Sequence, residues 1–145
     1  MKLRSPIRLR RWILWVLITA GIILLLSVLW EAQKEADTIP GKTNEQRVEY
    51  LRSLGWSVSE VPLREQVIRL PKEFPDVLKK YNELQTQQGF DMIQYAGKEV
   101  TMYTYTVQKE EDSTQRQAVL YVYKNKVIGG DIHSPAFDGE MEPLQ

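Results

Sequence analysis

Nineteen consecutive residues, Trp12 to Trp30, carry no charge, and twelve of them are Leu, Ile or Val. At about 1.5 Å of rise per residue, a helix of this length reaches roughly 28 Å, the thickness of a bilayer's hydrocarbon core. The aliphatic residues contribute about −4 to −7 kcal/mol toward insertion. Every helical face is apolar, so the stretch lacks the polar side of a surface helix. Trp12, Trp15 and Trp30 stand where interfacial aromatics anchor a span. Gly21 is the one glycine in the stretch, so it holds no Gly-x-x-x-Gly pairing face. The expectation is a single-pass transmembrane helix over residues 12–30, with the lipid bilayer as its partner.

Lys2, Arg4, Arg8, Arg10 and Arg11 precede the span without an acid, whereas Glu31, Lys34, Glu35 and Asp37 follow it. This basic excess predicts a cytoplasmic tail over residues 1–11 and a C-terminal domain outside the cytoplasm, at the cell membrane. A cleaved signal peptide shares the basic start. Its apolar region is shorter, about 7–15 residues, and a small-x-small cleavage site follows it, which this chain lacks. The reading is therefore a signal-anchor that is not cleaved.

The net charge of zero conceals an asymmetry. Residues 1–30 carry five positive charges, and residues 38–145 carry thirteen Lys/Arg against sixteen Asp/Glu. A mildly acidic domain has no electrostatic drive toward nucleic acid. The chain has no Cys, which removes disulfides, thiolate nucleophiles and Cys-ligated metals together. About a hundred residues remain beyond the span, enough for one compact domain held by its apolar core.

Residues 31–42 read as a polar stalk ending at Pro40-Gly41, and residues 43–145 as the domain. Thr43 and Gln46 have capping-box spacing and open a helix with Val48, Leu51 and Leu54 on its apolar stripe. Gly55 ends it, so that Trp56 folds back onto Leu51. Trp56–Ser59 and Gln66–Leu70 read as short strands. Pro75–Gln88 reads as a second helix burying Phe74, Val77, Leu78, Tyr81 and Leu84. Asp91 caps a further turn closed by Gly97. Glu99–Val107 is a strand, Lys109–Arg116 a polar loop, and Gln117–Tyr123 with Lys126–Ile132 a hairpin turning at Lys124-Asn125. Alternation puts Val119, Tyr121, Tyr123, Ile128 and Ile132 on one hairpin face, and Ala118, Leu120, Val122 and Val127 on the other. The tail from Ser134 should be irregular. The order α-β-β-α-β-β-β after the span predicts a small α+β domain, two helices on one face of a mainly antiparallel sheet.

Four segments, Tyr50-Leu-Arg-Ser-Leu-Gly-Trp56, Tyr81-Asn-Glu-Leu-Gln85, Gln88-Gly-Phe-Asp91 and Val127-Ile-Gly-Gly-Asp-Ile132, occur together here. In combination the chain resembles a bacterial domain family of unknown function, number 4830, over roughly Thr43 to Met141. The resemblance implies a membrane-anchored extracytoplasmic domain. It implies no activity and no established functional residues.

Gly129-Gly130 lies within a strand and lacks the lysine and following helix of a phosphate loop, so it reads as a place of close packing. Asp131 and His133 share a face and could reach one ligand. A metal site normally needs three protein ligands, and His133 is the only histidine. Asp138, Glu140 and Glu142 are the nearby oxygen donors. No Gly-x-Ser-x-Gly elbow or Ser-x-x-Lys pair supplies a nucleophile, so neither catalysis nor a metal or other cofactor is expected. Tyr103, Tyr105, Tyr121 and Tyr123 are the better candidates for contact, since Tyr joins an apolar face to a polar tip. The expectation is a non-catalytic binding module whose partner is another membrane or cell-envelope protein. The alternatives are an exported hydrolase or metal-dependent enzyme centred on Asp131 and His133, and a peptidase-inhibitor-like module, the latter by fold analogy.

Overall fold

The computed structural model describes residues 6–36, 38–136 and 141–145, and divides after Thr38 into two units. The first holds helix α1 (Pro6–Ala36), which contains Trp12–Trp30. That segment is long and apolar enough to cross a membrane, and its side chains are exposed throughout. Lys2, Arg4 and Asp37 lie outside the described residues. The helix runs through half of the expected stalk because Glu31-Ala-Gln-Lys-Glu-Ala36 are good helix formers with no breaker among them.

The second unit, Ile39–Gln145, is an α+β domain. Its helices are α2 (Asn44–Ser53) and α3 (Asp76–Gln87), with a 3₁₀ turn at Met92–Tyr95. Its strands are β1 (Ser57–Val58), β2 (Arg64–Arg69), β3 (Glu99–Lys109), β4 (Asp112–Tyr123), β5 (Lys126–His133) and β6 (Met141–Glu142). All strand pairs are antiparallel, in the order β1-β3-β4-β5-β6, with β2 beside β3 on the same edge as β1.

Local chemistry sets the ends of the elements. Thr43 Oγ1 accepts the Gln46 N–H while Gln46 Oε1 accepts the Thr43 N–H, a complete capping box. Gly55, at φ +87°, lets the Trp56 N–H return to the Leu51 carbonyl. Asp91 accepts the Ile93 N–H at the start of the 3₁₀ turn. Lys124 and Asn125 both take positive φ, as a two-residue hairpin turn requires.

Four expectations need correction. The helices do not share a face. Helix α2 covers Tyr105, Val107, Ala118, Leu120, Val122 and Ile132, whereas α3 and the 3₁₀ turn cover Val100, Tyr121, Tyr123 and Ile128. Both sheet faces are apolar, and one helix alone cannot shield two faces. The α2 side holds twelve buried apolar residues and the α3 side four, so the main core lies beneath α2.

Second, Ile132 belongs to the α2 layer. A bulge leaves Ile128 unpaired between the Tyr121↔Gly129 and Val122↔Val127 pairs, so every later residue of β5 changes face. Ile132 thus lies opposite Ala118, and Asp131 opposite Val119.

Third, most of the polar loop over Lys109–Arg116 is strand. Lys109 pairs with Asp112, leaving Glu110-Glu111 as the turn. Backbone pairing continues beyond the covered sheet, where no apolar alternation marks it.

Fourth, the tail returns. Met141 pairs with His133, and Leu144 is fully buried with its carbonyl accepting the Trp56 indole N–H at 2.7 Å.

The β5 edge is covered along its length by three devices. Ile39 and Gly41 pair with the Asn125–Val127 stretch, Gln85 of α3 and Gln88 just after it bond Gly130, and β6 pairs with Ile132 and His133. Residues 39–42, placed by composition in the stalk, therefore pack as part of the domain.

Candidate functional site

Helix α3 is held by polar ties. Asn82 Oδ1 accepts the Met92 N–H at 2.7 Å, and Gln85 Oε1 accepts the Gly130 N–H at 2.8 Å. Both side chains are buried. Buried polar atoms favour bonded partners, so these bonds set the rotation of the helix about its axis, and Gln85 Nε2 is left buried with no partner among the described residues. The apolar stripe expected to be buried is turned partly outward as a result, and Val77 is 71% exposed.

That stripe lines an open cleft of about 680 Å³. Val77, Leu78, Tyr81 and Leu84 form one wall, and Ile68 to Pro71 another. Met92 and Tyr121 contribute apolar surface. Of its lining residues Arg69 and Lys80 are charged, both cations, but the Arg69 side chain turns to the other sheet face, where it meets Glu99 at 3.5 Å. A concave, mainly apolar surface with a few charges at its margin is the usual form of a binding site.

Asp131 and His133 do come together on the α3 face. His133 Nδ1 lies 2.9 Å from Asp131 Oδ1, and Nε2 lies 3.3 Å from Gln117 Oε1. The Tyr81 hydroxyl donates to Asp131 Oδ2 at 2.6 Å. Burial first, and then the charge of Asp131, push the Tyr81 phenol well above its usual range, so it stays protonated as a donor. Tyr121, edge-on to Tyr81 at 6.2 Å, is also raised by burial. Asp131 is 2% exposed, and both its oxygens are bonded within the domain. The nitrogen that would activate a nucleophile faces an amide, and the Ser134 hydroxyl instead accepts the Ala136 N–H. Among the described residues no three of His, Asp and Glu cluster as metal ligands. Asp138 and Glu140 lie outside the described residues, and Glu142 pairs with Arg116 at 2.7 Å.

The four tyrosines do not form one surface. Tyr103 and Tyr105 lie on the α2 side, Tyr121 and Tyr123 on the α3 side. Tyr105 is fully buried. Its hydroxyl accepts from Arg47 Nε at 2.8 Å and donates to Asn44 Oδ1 at 2.9 Å. Burial raises its pKa, and the Arg47 bond opposes that. The Arg47 guanidinium stacks 3.6 Å above the Tyr103 ring and bonds the Gly41 and Lys42 carbonyls. This pair of tyrosines secures the chain entering the domain.

A family model for a domain of unknown function, DUF4830, matches residues 50–132. The chain belongs to this family. Neither the curated proteins nor the solved structures give a match. The DUF4830 match begins within α2 and ends at Ile132, taking in Tyr81, Gln85, Tyr121 and Asp131 and stopping short of His133 and Leu144.

Several structural residues of this DUF4830 domain escaped sequence reasoning: Arg47, Gln85, Gln88 and Leu144. Polar residues on a helix read as solvent-facing, and nothing local marks the partner 45 residues away that Gln85 meets. The Gly129-Gly130 pair was the available signal. A Cβ on Gly129 would meet Met92 Sδ at 2.9 Å, which identifies the pair as the place where α3 and its neighbours approach the sheet.

Proposed function

We propose that this protein is a single-pass membrane protein, N-terminus in the cytoplasm, whose DUF4830 domain binds another membrane or cell-envelope protein outside the cytoplasm without catalysing a reaction. The observation that carries the binding role is the open apolar cleft beside α3. The acid–imidazole pair is satisfied internally, while among the described residues the cleft leaves apolar side chains such as Val77 uncovered. Lys80 at its margin suits an apolar partner segment with an acidic flank. The uncharged Trp12–Trp30 segment and the basic residues before it support the anchoring and its orientation.

Two measurements test this reading on the full chain in intact cells. Protease added to cells stripped of their wall should digest the domain, and protection would overturn the topology. A photo-crosslinking side chain at Val77 should capture one discrete protein, and Lys80→Glu should weaken that capture. The same probe at Glu49, exposed on α2, should not capture it. Equal capture at both positions would remove the cleft as the binding surface.

A further inference from the structure

The two edges of the sheet are treated differently. The β5 edge is covered throughout, as described above. On the other edge, β2 is six residues long, and among the described residues β3 is its sole strand partner. We propose that β2 pairs antiparallel with β2 of a second copy of this chain about a two-fold axis at Val67.

Backbone geometry selects this register. The Leu70 N–H donates to the Lys98 carbonyl directly opposite it, so even-numbered residues of β2 turn their polar groups toward β3. Glu65, Val67 and Arg69 therefore point theirs outward. Centring the pair on Val67 sets Val67 against Val67 and Glu65 against Arg69 at both ends. All outward groups of the three residues are then used on both strands.

Charge selects the same register. Glu65, Val67 and Arg69 share one sheet face and are all exposed, Val67 at 59%. The pattern acid–apolar–base is complementary to itself when reversed. Centring on Glu65 or on Arg69 instead opposes like charges, which repels. An edge carrying charges normally resists pairing with arbitrary strands, whereas centring on Val67 is the alignment of this edge with its own copy that uses all three outward residues and both Glu65–Arg69 pairs. Arg69 also meets Glu99 of its own chain at 3.5 Å, an exposed pair that competes weakly.

The chain has no native Cys, so single cysteines report position cleanly. Full-length Val67→Cys in its native membrane, treated with a short bis-maleimide, should give a covalent dimer, because Cα atoms of such a pair lie about 5.5 Å apart. Glu49→Cys, exposed on α2 and outside the cleft, should give little. In the Val67→Cys background, Glu65→Arg should weaken dimerisation about ten-fold, and adding Arg69→Glu should restore it. Equal crosslinking at the two positions, as pairing through α1 alone would give, overturns the proposal. So does a yield indifferent to Glu65→Arg.

Discussion

The Gln85 amide oxygen accepts the Gly130 backbone N–H at 2.8 Å, so a helix side chain occupies the place of a neighbouring strand. Gln88 completes the arrangement by donating to the Gly130 carbonyl at 3.2 Å and accepting the Leu144 N–H at 2.7 Å. One glycine on β5 is thereby joined to α3 and to the returning tail. Gln85→Leu leaves the Gly130 N–H buried without a partner, but it also removes the unbonded Gln85 Nε2, which offsets part of the cost. The expected loss is about 1 kcal/mol of stability, read from the midpoint of denaturant unfolding.

The two adjacent glycines should respond unequally to a methyl group. At Gly130 a Cβ would stand 2.5 Å from the Val119 carbonyl, which cannot move without disturbing the ladder. At Gly129 the nearest atom is the Met92 sulfur at 2.9 Å, on a flexible side chain. Gly129→Ala should cost about 1–3 kcal/mol, and Gly130→Ala more than that. Thermal melts of the two variants side by side test the order.

Leu144 is fully buried among the residues packed under α2. Leu144→Ala should cost about 2–5 kcal/mol, as for other buried leucines. Trp56 fluorescence should change in the same variant, since its indole N–H is bonded to the Leu144 carbonyl. A tail without a packing role would show neither effect.

Alkali should unfold the domain earlier than it would a protein with exposed tyrosines. Burial pushes the Tyr50 phenol up to about 12, and raises Tyr105, Tyr121 and Tyr81 as well. Each folded-state value is above that of the unfolded chain, near 10, so the native state holds more protons between them. The stability from these groups is complete below about pH 10 and is lost as pH rises through the folded values. Tyr50→Phe should flatten that decline, measured as unfolding free energy against pH.

Much of the fold could be read from the chain because it depends on short-range chemistry. The Thr43–Gln46 box, the Gly55 and Gly97 stops and the Lys124-Asn125 turn each involve neighbouring residues. The α+β class followed from their order. Long-range chemistry was hidden. The Ile128 bulge breaks strict alternation beside Gly129-Gly130, a pair read only as a place of close packing, and it moved Ile132 to the opposite layer. Asp131 and His133 were placed on a common face correctly, since two residues past the bulge still alternate. Their third partner, Tyr81, is 50 residues distant and read as one more member of an apolar stripe. The four tyrosines are split between the two faces, because the register Tyr103↔Leu120 puts Tyr103 and Tyr121 on opposite sides.

The bond between the Trp56 indole and the Leu144 carbonyl joins residues 88 positions apart. A nascent chain therefore completes α2, the first strand and the hairpins before it can close the hole beneath that indole. Synthesis halted after residue 133 and short of residue 144 leaves a nearly finished sheet with a wet gap in its main core. Such a fragment carries its own mark for quality-control proteases.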